Sequence, residues 1–366
     1  VRYTDGFRDP AAAAALCHSI AATASRLAAF RGTVHVMEVC GTHTMAIARH
    51  GIRGILPANV DLVSGPGCPV CVTHTGYIDS AIELAAKGVT VVTFGDMLHV
   101  PGSRSTLADA RVRGATVETV YSPSAAIDLA RGQPGKQVVF LAIGFETTTA
   151  PVVSLVEKAI AEHIENLSLL TAFKLVPPAL SALRADPELN LDAFLCPAHV
   201  SAIIGANAYI PFTGKNGVPC VIAGFEPLDI LLGIDHILRQ VLEVRAKVEN
   251  LYDRVVRPEG NKKAQALIAH YLHPVDARWR GIGVIPLSGL GLRPEYERFD
   301  ASVRFDLRDT PGTEPEGCLC GDVIKGKRKP PSCLMFGTVC TPDTPVGPCM
   351  VSGEGSCAAY YKYRKE

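Results

Sequence analysis

The sequence predicts an α/β protein of two parallel-sheet αβα domains followed by a C-terminal cysteine-rich domain. Three observations carry this. Short, nearly continuous apolar runs alternate with helical patterns through the first two-thirds of the chain, the pattern of strands buried on both faces. The 366 residues, 48% hydrophobic and 20% charged, supply apolar material for more than one core. Half of the twelve cysteines (Cys318, Cys320, Cys333, Cys340, Cys349 and Cys357) crowd into a tail otherwise poor in apolar runs. Such a segment needs a staple to stay ordered, and a metal cluster can be one.

The Ala-rich segment Ala11–Phe30 is expected to be an amphipathic surface helix. His18, Ser19, Ser25 and Arg26 interrupt its apolar run, and Asp5 and Asp9 precede it where a secretory segment would carry basic residues. A cytoplasmic protein is therefore expected. Strands are expected at Val34–Val39, Val60–Ser64, Val89–Phe94, Thr116–Tyr121, Val138–Ile143, Ser168–Phe173, Ala193–Cys196 and Val218–Ala223. Helical spacing marks Tyr77–Lys87, Thr106–Arg113, Thr148–Glu162 and a long stretch from Pro227 to Val256. The polar stretches Arg131–Lys136 and Arg257–Lys263 read as boundaries, giving domains at 1–136, 137–262 and 263–366. A short echo, IGFET at Ile143–Thr147 and AGFEP at Ala223–Pro227, puts a similar turn after a strand in each half. Beyond His273 only Gly283–Leu287 is strand-like before the Gly- and Pro-rich tail.

The 36 basic and 36 acidic side chains cancel, so no nucleic-acid or membrane partner is expected. The chain lacks a Gly-x-x-x-x-Gly-Lys-Ser/Thr loop and a strand-linked Gly-x-Gly-x-x-Gly, which leaves ATP or NAD dependence unsupported. The Cys-x-x-x-Cys-x-x-Cys spacing of radical S-adenosylmethionine chemistry is also missing. In a reducing compartment, twelve cysteines point to metal or redox chemistry rather than a disulfide scaffold.

The densest chemical signal is Met37–Cys71. Cys40 ends a strand just before Gly41-Thr42-His43-Thr44 turns into a helix, where free N–H groups and the helix dipole favour a thiolate. His43 is placed to exchange a proton or to hydrogen-bond. A buried structural cysteine beside a capping threonine would give the same pattern. Cys68-Pro69-Val70-Cys71 follows the next strand and reads as a reversible disulfide pair, with a zinc half-site as the rival. Loops after adjacent parallel strands meet, so Cys40, Cys68 and Cys71 are expected to share one site. Three thiols there would suit a soft metal such as ferrous iron. In the tail, four thiolates match a [4Fe–4S] cluster and leave a spare pair, while a four-thiolate zinc site remains compatible with the spacing. Glu146 and Thr147, Asp96 and His99, and His199 also sit at expected strand ends, as functional or as satisfied structural groups. Cys17 and Cys220 read as small core residues, and Cys196 is left open.

The residues closely resemble the HypD family of [NiFe]-hydrogenase maturation proteins. The resemblance lies in MEVCGTHTMAI (Met37–Ile47), SGPGCPVCVT (Ser64–Thr73), GFETT (Gly144–Thr148), CPAHVSAIIG (Cys196–Gly205), AGFEPLDIL (Ala223–Leu231) and the run Phe336–Tyr363. Two departures are Ala198, where many members carry Gly, and Met45, where many carry a second His. The resemblance implies a scaffold on which an iron centre with cyanide and carbon monoxide ligands is assembled. Its expected partners are a HypC-type chaperone and a HypE-type cyanide donor. It implies Cys40 as the iron ligand and Cys68/Cys71 as the redox pair. It further implies Cys318, Cys333, Cys340 and Cys357 as ligands of the [4Fe–4S] cluster, leaving Cys320 and Cys349 as a spare redox pair. A cluster-fed thiol–disulfide oxidoreductase and a zinc-stabilised binding protein are the alternatives.

Overall fold

A computed structural model describes residues 5–363. It contains two sheets. The first comprises Val34–Glu38 (β1), Val60–Ser64 (β2), Ala193–Pro197 (β7), Cys220–Ala223 (β8) and Val248–Asn250 (β9), all parallel in the order β2-β1-β7-β8-β9. The second is formed by Thr90–Thr93 (β3), Val117–Thr119 (β4), Val138–Gly144 (β5), Leu167–Lys174 (β6), Leu272–Trp279 (β10) and Gly283–Leu292 (β11), in the order β10-β11-β6-β5-β3-β4. Here β3 to β6 run parallel, whereas β10 and β11 form an antiparallel hairpin added beside β6.

All eight expected strands form. Their apolar runs are buried from both sides, β5 along its whole length, as parallel strands sandwiched between helices must be. The Ala-rich segment forms the helix Pro10–Ala28, capped by Asp9 accepting from the Ala12 N–H at 2.8 Å. Its buried Ile20, Ala24 and Leu27 pack with the helix Pro227–Leu242 on one face of the first sheet. Among the described residues no helix is long and apolar enough to cross a membrane.

Three expectations need correcting. The long helix stops at Leu242 rather than Val256, because the chain reverses at Val244, whose φ is 51°, and then supplies β9. The second sheet is mixed rather than parallel: the turn at Arg280–Ile282, with Gly281 and Gly283 at positive φ, folds residues 272–292 back as a hairpin. Sheet membership does not follow the divisions at 136–137 and 262–263. β1 and β2 pair with β7 to β9, while residues 272–292 complete the second sheet instead of belonging to the cysteine-rich tail. Sequence spacing cannot reveal which of many apolar strands become neighbours. That depends on crossover paths and on how the finished layers bury.

Among the described residues the tail proper carries only short helical segments, Cys320–Ile324, Pro330–Ser332, Pro348–Val351 and Ser356–Lys362. It packs where the sheets face each other, in one core that holds Met37 and Phe194 of the first sheet, Ala277 and Trp279 of the second, and tail cysteines.

Candidate functional site

The order β2-β1-β7-β8 puts four consecutive carboxyl-end loops side by side, the usual place for a site in a parallel sheet. From β1 comes Cys40, from β2 the loop Gly65–Cys71, from β7 His199, and from β8 Gly224 and Phe225. The first two loops are locked together. The Gly41 N–H donates to the Gly67 carbonyl at 3.1 Å and the Gly65 N–H to the Glu38 carbonyl at 2.8 Å. Gly67 lies so close to the Cys40 backbone that any Cβ there would overlap Cys40. Cys40 and the Cys68–Cys71 loop are therefore direct neighbours.

Cys40 caps the helix Gly41–Arg49 in extended conformation, at the turn the sequence indicates. Its thiol is nevertheless only 2% exposed. Burial raises its pKa to about 12, with help from the carboxylates of Glu354 and Glu38; the His43 backbone N–H and the Thr42 hydroxyl pull the other way. The expectation of a free thiolate at this turn is thus corrected, because desolvation outweighs the helix terminus. The His43 side chain also differs from expectation. Its imidazole points away from the thiol, with Nε2 2.9 Å from the Gly224 carbonyl oxygen and the ring 4.8 Å from Phe225. Burial lowers its pKa to about 4. The imidazole at the thiol belongs to His199, whose Nε2 is 3.8 Å from Cys40 Sγ and whose ring lies 5.1 Å from Phe225. Burial lowers its pKa as well.

Cys68 and Cys71 form a disulfide, with Cα atoms 5.2 Å apart, at the start of the short helix Pro69–Val72. Both are buried. The tail covers this pair and the Cys40 turn together. Cys71 Sγ lies 3.8 Å from the Pro348 carbonyl oxygen, and Glu354 Oε1 accepts from the Thr42 hydroxyl at 2.9 Å. Asp96, after β3, ties the same tail loop to the second sheet by accepting from the Ser352 hydroxyl at 3.1 Å and the Gly353 N–H at 3.3 Å.

Six cysteines of the tail line one cavity together with Val323, Met335 and Phe336. Cys320 interacts electrostatically with Cys318 and Cys349, and Cys349 in turn with Cys357. The neighbouring thiols, and the field of buried Arg280, hold the Cys320 pKa down while the Cys318 pKa is pushed up. Among the described residues no three His, Cys, Asp or Glu side chains converge on a point where a single metal ion could sit.

Other candidates fall outside this centre or act as struts. Glu146 is buried, with Oε1 accepting the Val176 N–H at 2.8 Å and Oε2 unpartnered, and burial raises its pKa to about 7. His99 is exposed, Thr147 is half-buried and Cys17 packs at the edge of a core. Cys196 and Cys220 are fully buried on neighbouring strands, their thiols directed to the Phe194 and Val218 carbonyls at 3.9 and 3.8 Å. Sequence reasoning missed Glu38, Glu354 and Arg280. Glu38 is fully buried between the Thr44 hydroxyl at 2.6 Å and Arg53 at 3.8 Å, and burial lifts its pKa to about 7. Arg280 donates to the Thr73 carbonyl at 2.9 Å and to Glu314 at 2.5 Å. A lone charge inside an apolar strand or a Gly-rich turn was the signal for Glu38 and Arg280. The echo motifs gave another: Phe225 walls the Cys40 site, and Phe145 packs on Trp279 at 6.0 Å.

Comparison with known proteins agrees with this picture. The family model HypD, described as the hydrogenase formation hypA family, matches residues 11–364. A hydrogenase maturation factor HypD of Azotobacter vinelandii is 46% identical over 374 residues, covering 100% of this chain and 98% of the relative. The factor of that name from Cupriavidus necator is 43% identical, with 99% and 97% covered. A putative hydrogenase expression/formation protein of Methanocaldococcus jannaschii is 44% identical, with 90% and 92% covered. With residues 11–364 matched by the family model and relatives 43–46% identical over nearly their whole length, the chain belongs to the HypD family.

Proposed function

We propose that this protein acts in hydrogenase maturation as a scaffold that binds iron through Cys40 while its cyanide and carbon monoxide ligands are installed. The observation that carries this is the convergence of Cys40, the Cys68–Cys71 disulfide and the cysteine-lined tail cavity in one buried region. Iron carrying strong-field diatomic ligands favours soft thiolate donors, and a sulfur shielded from water suits such a cargo. A HypC-type chaperone would share the iron, and a HypE-type protein would deliver cyanide.

The tail cavity suits a [4Fe–4S] cluster, in which each thiolate takes its own iron and the sulfurs surround the cluster instead of converging on one point. Cys318, Cys333, Cys340 and Cys357 would hold it. The remaining pair, Cys320 and Cys349, are at 5% and 2% exposure the two most buried of the six, and the mutual influence of their thiols suits a reversible dithiol. Such a cluster, when bound, supplies single electrons at low potential. Reduction of the Cys68–Cys71 disulfide takes two electrons and two protons and leaves two thiols beside Cys40. Release of cyanide from a thiocyanate carrier is itself a reduction, and a dithiol is a suitable donor of the electron pair. Burial of both sulfurs weighs against free turnover of a small disulfide substrate, which would need access to them.

Anaerobic purification with metal analysis and infrared spectroscopy tests the proposal. Cys40→Ala should abolish the cyanide and carbon monoxide stretching bands and leave the brown colour of the tail cluster intact. Cys333→Ala should bleach the protein. Persistence of the bands in the first variant would remove Cys40 as the iron ligand; unchanged colour in the second would remove the tail assignment.

A further inference from the structure

A second cavity, of about 200 Å³, opens between the end of β6, the β10–β11 hairpin, the start of the helix Thr75–Ala86 and the segment Leu307–Asp309. It belongs to none of the thiol chemistry. Lys174, the last residue of β6, lines it and is 2% exposed. Its ammonium lies 5.9 Å from the centre of the Trp279 ring and, among the described residues, has no hydrogen-bond or ion-pair partner. Two further buried nitrogens in the lining, His74 Nδ1 and Arg278 Nε, also lack partners. Arg308 stands exposed at the rim. The carboxylates on the lining are already engaged. Asp309, 71% exposed, lies 3.3 Å from His74 Nε2 and 3.8 Å from Arg278 Nη2, and exposed Asp276 accepts the Leu287 N–H at 2.9 Å.

An ammonium this buried, with the mostly exposed Asp309 carboxylate as the charge that favours its protonation, is costly, and proteins keep one only where something compensates it. We propose that this cavity binds a phosphate group, free or as a small monoester, through Lys174, Arg278 and Arg308. Three cations suit a dianion better than a single carboxylate, and the guanidinium fork matches its oxygens. Leu170, Ala172, Leu290 and Leu307 give apolar wall for the body of an ester. The place fits too: β6 is where the parallel run of the sheet meets its antiparallel hairpin, and ligands bind at the carboxyl ends of strands. Burial lowers the Lys174 pKa to about 8, so the ammonium persists at neutral pH. The segment that brings Arg308 is held against the helix start by the Gly76 N–H donating to the Pro311 carbonyl at 3.1 Å and the Thr75 hydroxyl to Glu314 at 2.6 Å.

Titration calorimetry and thermal melting of the full chain test this with inorganic phosphate and glycerol 3-phosphate, against acetate and chloride at matched ionic strength. Saturable heats and a higher melting temperature with either phosphate are expected, and tighter binding of the ester would identify the monoester as the natural occupant. Lys174→Met, which keeps an apolar stem over Trp279, should weaken binding by about tenfold or more, as loss of a charge-assisted contact does, without lowering the ligand-free melting temperature. Arg308→Gln, at an exposed position, should weaken it less and covers the case in which the lysine variant fails to fold. Equal stabilisation by acetate or chloride, no phosphate binding up to roughly 10 mM, or unchanged affinity in the variants would overturn the proposal.

Discussion

Replacing Gly67 by alanine probes the seam that holds the thiol centre together. A methyl group there would overlap the N, Cα and C atoms of Cys40. Carbon atoms settle at about 3.5–4.0 Å, so the two loops must part by about 1 Å. The neighbour is backbone and cannot swing aside as a side chain could. Overpacking of this kind costs about 3 kcal/mol, and loss of the Gly41–Gly67 hydrogen bond adds about 1 kcal/mol. For a chain of this length, unfolding as a unit, about 4 kcal/mol corresponds to a melting temperature lower by about 5 °C. The local readout is sharper. Cys40 is 2% exposed with a thiol pKa near 12, so the wild type should alkylate very slowly there, and the parted seam should speed labelling of Cys40 followed by mass spectrometry. Gly54→Ala is the control: nothing lies within 4 Å of that position, and the change should stabilise by about 0.5–1 kcal/mol. A Gly67→Ala protein that melts and labels like the wild type would refute the claim that these loops are in contact.

The pH dependence of stability should carry the signature of His43. Its pKa is lowered from 6.5 to about 4, so below pH 6.5 the unfolded chain takes up a proton that the fold refuses. Stability falls as the pH drops through that window, by about 3 kcal/mol in total. His43→Gln removes this contribution, and urea melts should show the variant gaining on the wild type from pH 7 to pH 4.5; a constant difference would contradict the buried neutral imidazole. Arg280→Met removes the donors that tie Thr73 to Glu314. It should cost about 2–3 kcal/mol and make residues 306–316 more sensitive to limited proteolysis, whereas equal resistance would show that the arginine does not hold that segment.

The strands were legible because parallel strands buried on both faces leave nearly continuous apolar runs, and residues 138–144 could hardly be read otherwise. The edge strands Val248–Asn250 and Leu272–Trp279 were not. The first is three half-buried residues with no apolar run, and the second alternates with Pro and His inside a hairpin whose register depends on two glycines at positive φ. The meeting of Cys40 with the Cys68–Cys71 loop could be foreseen because β1 and β2 are consecutive and adjacent. The arrival of His199 could not: β7 pairs with β1 after more than a hundred intervening residues, and local sequence carries no trace of that pairing. Buried Glu38 and half-buried Glu354 were hidden for a similar reason, since only tertiary packing takes them from water.

Cys40 shows how magnitude decides between two sound rules. A helix N-terminus stabilises an anion by about 0.3–1 kcal/mol, less than one pKa unit. Desolvation and the nearby carboxylates move this thiol from 9.0 to about 12, about 4 kcal/mol in the opposite direction. A thiol so placed resists alkylation and oxidation while the site is empty, because the reactive form is the thiolate. Under the proposed function, an arriving iron ion supplies the positive charge the pocket lacks, and its binding is coupled to release of the thiol proton. The imidazole of His199, 3.8 Å from the sulfur, is one base in contact with it that could take the proton. On that proposal, protonation of Cys40 would keep the ligand in reserve, and the same burial that delays its ionisation would shield the metal once bound.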